Sequence, residues 1–230
     1  MTITEVIDEF RRQVQDLETP YLFSDDEILL WLIDAQDMLV RGFGGFADFF
    51  TPELTQVSVT ANEPWSDISP YILRIRSGQM QTARTPVDFI HEGDLESLQM
   101  KDYGFSIPID FLDDADTGAV RAGILELTDG KIRWYKVPES DDVCKLHIYR
   151  LPYPRITDTD CKLEVQEQHH LHLIKWMKYM AYSKEDAETY DKALADTNET
   201  AFNSYVEKVK QEMSRLRHKP KQVRYGGIPW

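Results

Sequence analysis

Leu125-Glu126-Leu127-Thr128-Asp129-Gly130-Lys131-Ile132-Arg133-Trp134 is the stretch on which the fold reading turns. Asp129-Gly130 is one of the few dipeptides that suit a two-residue type I′ turn, where both central residues need positive φ. With that turn, Thr128 faces Lys131, Leu127 faces Ile132, Glu126 faces Arg133 and Leu125 faces Trp134. Apolar pairs then share one face and a charge pair takes the other, as cross-strand pairing favours. The pattern predicts a hairpin, and therefore sheet, in the middle of the chain.

Working outward, the same period of two continues on both sides. Downstream of Pro138 and the acidic turn Glu139-Ser140-Asp141-Asp142, Cys144, Leu146 and Ile148 alternate with Lys145, His147 and Tyr149. That places Cys144 on a core face, as a small packing residue rather than a nucleophile. Leu151-Pro152-Tyr153-Pro154 ends the sheet. Upstream, Gln56 to Thr60 and Ile72 to Arg76 alternate in the same way, punctuated by Pro64, Pro70 and Gly78.

The two ends read as helix. Thr2 with Glu5 and Ser24 with Glu27 have the capping-box spacing. Ile3, Val6, Ile7, Phe10, Val14 and Leu17 recur at helical period up to Pro20. Ile28, Trp31, Leu32, Ala35, Met38 and Leu39 do so until Gly42, Gly44 and Gly45. Helices resume near Leu163. One apolar stripe comprises Leu173, Trp176, Met177 and Met180, and a second runs from Ala201 and Phe202 to Leu216. The break between them lies in Ser183 to Asp191, with Ser183 and Thr189 as possible caps. The last helix, from about Asp191 to His218, would be roughly 40 Å long at 1.5 Å per residue. The expected class is α+β: mainly a bundle of about four helices, with a β-rich insertion between helices 2 and 3 and an extended C-terminal arm. Segments 1–53, 54–154, 155–218 and 219–230 are the helix pair, the insertion, the second helix pair and the arm.

Charge sets the arm apart. The chain carries 40 Asp and Glu against 26 Lys and Arg, a formal net charge of −14. Met213 to Trp230 has five basic residues (Arg215, Arg217, Lys219, Lys221, Arg224) and no acidic one, leaving −19 on the rest. Its end, Arg224-Tyr225-Gly226-Gly227-Ile228-Pro229-Trp230, is too rich in Gly and Pro to continue a helix. It also cannot bury its own Tyr and Trp against itself, so it reads as an arm that orders on another surface, with a frayed terminus as the alternative. The acidic remainder argues against wrapping nucleic acid, which needs clustered Lys and Arg, but suits a wall along which DNA could slide. No run of about 18 apolar residues marks a membrane span. The start of the chain lacks the basic and apolar regions of a secretory signal, and Cys144 and Cys161 make no disulfide framework. An intracellular origin is the expectation.

Candidate chemistry is sparse. Asp116-Thr117-Gly118-Ala119 matches the short signature of retroviral-type aspartic proteases, but an acidic turn precedes it where an apolar strand is needed. The same run fails the calcium-loop spacing. Of His169, His170 and His172, only the first and last have ligand spacing on a helix, with no companion Cys or carboxylate motif. Gly42-Phe43-Gly44-Gly45 closes a helix instead of opening one, so it makes no phosphate cradle. Assembly is the expected function, with no enzyme activity, cofactor or metal.

In the order of its parts the chain resembles the head-to-tail adaptor (connector or neck) proteins of tailed bacteriophages. The resemblance rests on the helix pair Ile3 to Leu17 and Ser24 to Arg41, and on Gly130 to Pro138 followed by Leu146 to Pro152. It continues through Leu163 to His170, Lys184 to Asp191, the long last helix and the basic tail. It implies a structural virion protein at the head–tail junction that is in the host cytoplasm during assembly. Such proteins form a ring, commonly of twelve copies, beneath the portal protein and join it to the next tail component, a nozzle or tail protein. Viral DNA passes through the ring without sequence-specific binding, and no membrane is involved. The portal-facing or subunit-facing residues would be Arg215, Arg217, Lys219, Lys221, Arg224, Tyr225, Ile228 and Trp230. The competing readings are a cytoplasmic helical binding module with a basic arm, and a dimeric protease acting through Asp116.

Overall fold

A computed structural model of the protein describes residues 1–91, 112, 114–185 and 189–217. Two capping boxes begin it. In α1 (Ile3–Val14) and α2 (Asp25–Phe43), the Thr2 and Ser24 hydroxyls accept from the Glu5 and Glu27 amides. Each glutamate carboxylate accepts in return from the cap residue's own amide. Reciprocal satisfaction of two orphan donors is what fixes these starts. α1 stops short of Pro20, because Gln15 turns left-handed at φ 61° and its N–H bonds back to the Arg11 and Arg12 carbonyls. Leu17, expected on the buried stripe, is therefore off the helix and 62% exposed.

The chain divides into two compact units, one from Met1–Gly44 with the chain from Pro154 onward, the other Gly45–Tyr153. In the first unit, α4 (Glu167–Ser183) begins later than Leu163 because the Glu164 and Val165 amides donate to the buried Gln36 side chain, at 3.1 and 3.4 Å. α5 (Lys192–Arg217) is capped by Asp191, whose carboxylate accepts from the Leu194 amide at 3.0 Å. Neither Ser183 nor Thr189 takes that role. Residues 186–188 of the connection lie outside the described residues. Tyr205 meets His169 and His172, and Phe202 meets Trp176, so α4 and α5 run antiparallel. Trp176 Nε1 also donates to Asp34 of α2 at 2.6 Å. α2 and α5 approach closely enough that a Cβ on Gly42 would lie 2.1 Å from Val206 Cγ1, so any larger residue would force them apart.

Among its described residues the second unit holds a one-turn helix, α3 (Pro52–Thr55), and ten strands. These are β1 (Phe46–Asp48), β2 (Gln56–Val59), β3 (Trp65–Asp67), β4 (Ile72–Met80), β5 (Pro86–His91), β6 (Thr117–Gly118), β7 (Ala122–Leu125), β8 (Lys131–Trp134), β9 (Val137–Pro138) and β10 (Asp142–Arg150). Eight of them form one sheet ordered β1-β10-β4-β5-β7-β8-β3, with β2 also paired to β10, while β6 and β9 pair separately. The β5–β7 and β6–β9 pairs are parallel and the others antiparallel. Cys144, Leu146 and Ile148 of β10 join Ile132 and Trp134 of β8 in one core, all fully buried. The alternation read for β10 is thus the one that forms.

Two expectations are corrected here. The hairpin forms, but its register is Gly123 opposite Trp134 and Ile124 opposite Arg133, two residues away from the expected pairing. Asp129 does not have positive φ, so the Thr128–Lys131 turn, closed by a 3.2 Å bond from the Lys131 amide to the Thr128 carbonyl, is not type I′. Glu126, at φ 71°, ends β7 early and lengthens the loop. Gly123 suits the position facing Trp134, since a Cβ there would lie 2.9 Å from Ile132 Cγ2 and 3.0 Å from the Phe89 ring.

The second correction concerns the class itself. The molecule is not mainly a helical bundle with a small β-rich insertion. Among the described residues it has five helices and a large curled mixed sheet. The residues read as an insertion own a hydrophobic core of their own. β1, β3, β6 and β9 are too short to show a period in sequence, and their partners lie in distant segments. The expected extended arm falls outside the described residues.

Candidate functional site

Of the residues expected to bind a partner, the structure describes two. Arg215 is exposed on α5, and Arg217 is the last described residue of that helix. Lys219, Lys221, Arg224, Tyr225, Ile228 and Trp230 lie outside the described residues, so no clustering of the eight is observed.

The three histidines pack within the helical unit, where His169 and His170 also hydrogen-bond. His169 Nδ1 lies 2.7 Å from the Tyr205 hydroxyl, His170 Nε2 lies 2.8 Å from the Val165 carbonyl, and the His172 ring stacks on Tyr205 at 3.5 Å. Burial lowers the pKa of His169, with Glu212 pulling it back up. It lowers His172 as well, helped by Lys175 and His169. Among the described residues no group of three or more His, Cys, Asp or Glu could hold a metal. Burial pushes the Cys144 thiol up to about 12, consistent with a packing role. Asp116 pairs with Lys136 at 3.0 Å beside the short β6–β9 pair.

Sequence reasoning missed the most exposed aromatic pair among the described residues. Asp48, at the end of β1, accepts from the Phe50 amide at 2.8 Å, the Thr51 amide at 3.1 Å and the Thr51 hydroxyl at 2.7 Å. Arg150 Nε donates to the same carboxylate at 2.5 Å, and both side chains are buried. Burial would raise this carboxyl, but the bonds from Thr51, Arg150 and the two amides outweigh it and hold it well below the usual range. This pinned turn leaves Phe49 53% and Phe50 88% exposed. Their rings meet edge-on at 5.7 Å, and Phe49 meets His147 at 5.9 Å. His147 stacks with Tyr149, over which the Arg74 guanidinium lies at 4.6 Å. The available signal was Phe46-Ala47-Asp48-Phe49-Phe50, three aromatics within five residues directly after a helix stop.

In the helical unit a second surface is built at the turn between α1 and α2. Buried Arg11 donates to Asp16 at 2.5 Å, to the Phe23 carbonyl at 2.9 Å and to Asp25 at 2.6 Å, and stacks over Tyr21 at 3.9 Å. Asp16 in turn accepts from the Leu22 and Phe23 amides. The connection is thus held from within while Leu17, Tyr21 and Leu22, and Leu30 further along α2, stay exposed. From Gln13 to Val40 the chain has seven acidic residues and no Lys, Arg or His. Among the described residues no helix is long and apolar enough to cross a membrane.

Both surfaces leave apolar side chains in solvent above a buried ion pair. A family model described as SU10 adaptor protein matches residues 1–224. No curated protein matches the chain.

Proposed function

This chain belongs to the SU10 adaptor protein family, and from that membership we propose that it forms a ring beneath the portal protein, joining capsid to tail. The family is one of phage structural adaptors, with a place in the virion and with portal and tail components as partners. The match over residues 1–224 is the observation that carries the reading. A ring of twelve copies would form part of the DNA channel, its lumen lined by the acidic surplus that lets DNA pass without capture. It would meet the next tail component, a nozzle or tail protein, on its far side.

The C-terminal arm is the proposed portal contact. Arg215, Arg217, Lys219, Lys221 and Arg224 would pair with acidic portal surface, steering association and fixing register more than adding affinity. Tyr225, Ile228 and Trp230 would be the apolar anchors. Each arm contributes modestly, but many arms on one symmetric ring bind at high effective concentration. The charge segregation, with five cations and no acid over the last 18 residues of a −14 chain, supports this division of labour.

The test is deletion of Lys219 to Trp230. The shortened chain should keep its circular-dichroism spectrum and melting profile yet fail to attach to purified portal, as scored by ring formation in electron micrographs. Filled, tailed particles at normal yield from the truncated protein would overturn the arm's role.

A further inference from the structure

Two unlike surfaces described above are complementary in chemistry. On the sheet unit, exposed Lys145 and half-buried His147 point away from the core face of β10, and Tyr149 on the same side is itself buried. The positions directly opposite them, Gln56 and Gln79, Ser77, and Ala47 and Arg74, include no acid. Further out on the same side β5 presents exposed Asp88, so the cationic area is the β4–β10 part of the face, around Arg74 and Lys145. Phe49 and Phe50 stand at its edge, more solvent-exposed than a monomer gains from. On the helical unit, the α1–α2 corner offers the reverse. Exposed Leu30 is 60% accessible and sits one turn along α2 from exposed Asp26, with Glu18 on the preceding loop.

We propose that the aromatic, cationic outer face of the sheet unit docks on the acidic, apolar α1–α2 corner of a second copy of this chain. This rests on the ring reading above and deepens it. Contact between two different patches is heterologous, the only kind of interface that repeats around a ring of identical subunits. Charge complementarity selects the occupant: the cationic face meets an acidic corner, while exposed apolar groups on both sides supply the buried centre. Asp16, Asp25 and Glu27 are already paired to Arg11 and Lys184, so Glu18 and Asp26 carry the attraction at the corner. Asp48 and Arg150 hold the aromatic pair in place from beneath.

The experiment uses two full-chain variants, Phe50→Asp, which spoils the face, and Leu30→Lys, which spoils the corner. Both positions are exposed, so melting profiles should match wild type, and Lys145→Glu serves as a second face variant. In sedimentation velocity without portal, wild-type protein should show reversible, concentration-dependent association that weakens with salt. Each variant alone should lower the association constant about tenfold or more. An equimolar mixture of Phe50→Asp and Leu30→Lys should recover one-to-one pairs that grow no further, since each supplies the surface the other lacks. Wild-type protein that stays monomeric at every concentration, variants that associate like wild type, or a mixture that stays monomeric would each overturn the proposal. Single-stranded oligonucleotide binding that Phe50→Asp abolishes would assign the face to nucleic acid and overturn it too. The ring reading fails separately, if wild-type chain forms no ring when mixed with portal.

Discussion

Arg11 reaches Asp16 five residues along the chain, whereas Arg150 reaches Asp48 across 102. Both pairs are buried, and each pins a turn that leaves apolar side chains in solvent. In the helical unit the pair closes a connection whose two helices are already started by their own caps. In the sheet unit the pair joins β1 to β10, strands that have no local reason to meet. The difference teaches where each unit's information lies: within short stretches for the first, in long-range pairing for the second.

The largest expected effect tests whether the sheet unit stands on its own core. Trp134 is fully buried and its indole N–H donates to the Ser66 hydroxyl at 2.9 Å. Trp134→Ala should cost about 4 kcal/mol, from lost burial and the cavity left behind. Hydrogen exchange should quicken in β3, β7 and β8 while α1, α2, α4 and α5 keep their protection. Equal loss in both units would break the comparison.

A smaller effect sharpens it. Asp48→Ala strands Arg150 in a buried position and removes three bonds of the turn, which should cost about 3 kcal/mol in denaturant titration. Arg11→Ala strands Asp16, but the Leu22 and Phe23 amides still satisfy that carboxylate, so about 2 kcal/mol is expected. The reverse order would mean that the local pair, not the long-range one, is the critical joint.

The smallest effect is a difference in pH response. His169 and His172 have folded pKa values below their ordinary 6.5, so the unfolded chain binds more protons as pH falls. Their contribution to stability is full above 6.5 and is lost as pH drops below it. Asp48 is also depressed, from an ordinary 3.8, so its contribution holds above 3.8 and is lost only as pH falls through its lower folded value. Exchange protection in α4 and α5 should therefore weaken at milder acidity than protection in β1 and β10. Simultaneous loss would count against two separately held units.

The caps at Thr2 and Ser24 and the alternation of β10 were legible because each is decided within a few residues. The hairpin was half legible. Lys131 to Trp134 was read as strand and is β8, but its partner is Ala122–Leu125, not Leu125 to Thr128; a two-residue slip keeps every side chain on its own face, so patterning could not choose the register. Gly123, packed between Ile132 and Phe89, and the left-handed Glu126 chose it instead. Phe49 and Phe50 lie outside every periodic stretch, and only the bonds to Asp48 show that they are held outward.

By itself, then, the sequence determined the starts of α1 and α2, the core-facing side of β10, the segregation of charge and the family. Tertiary structure decided the extent of the sheet, the register at Trp134 and the exposure of the aromatic corner. The division follows from range. Caps and periodicity are satisfied by neighbours within a turn or two, whereas strands of two to four residues are stable only once distant segments have supplied their hydrogen bonds.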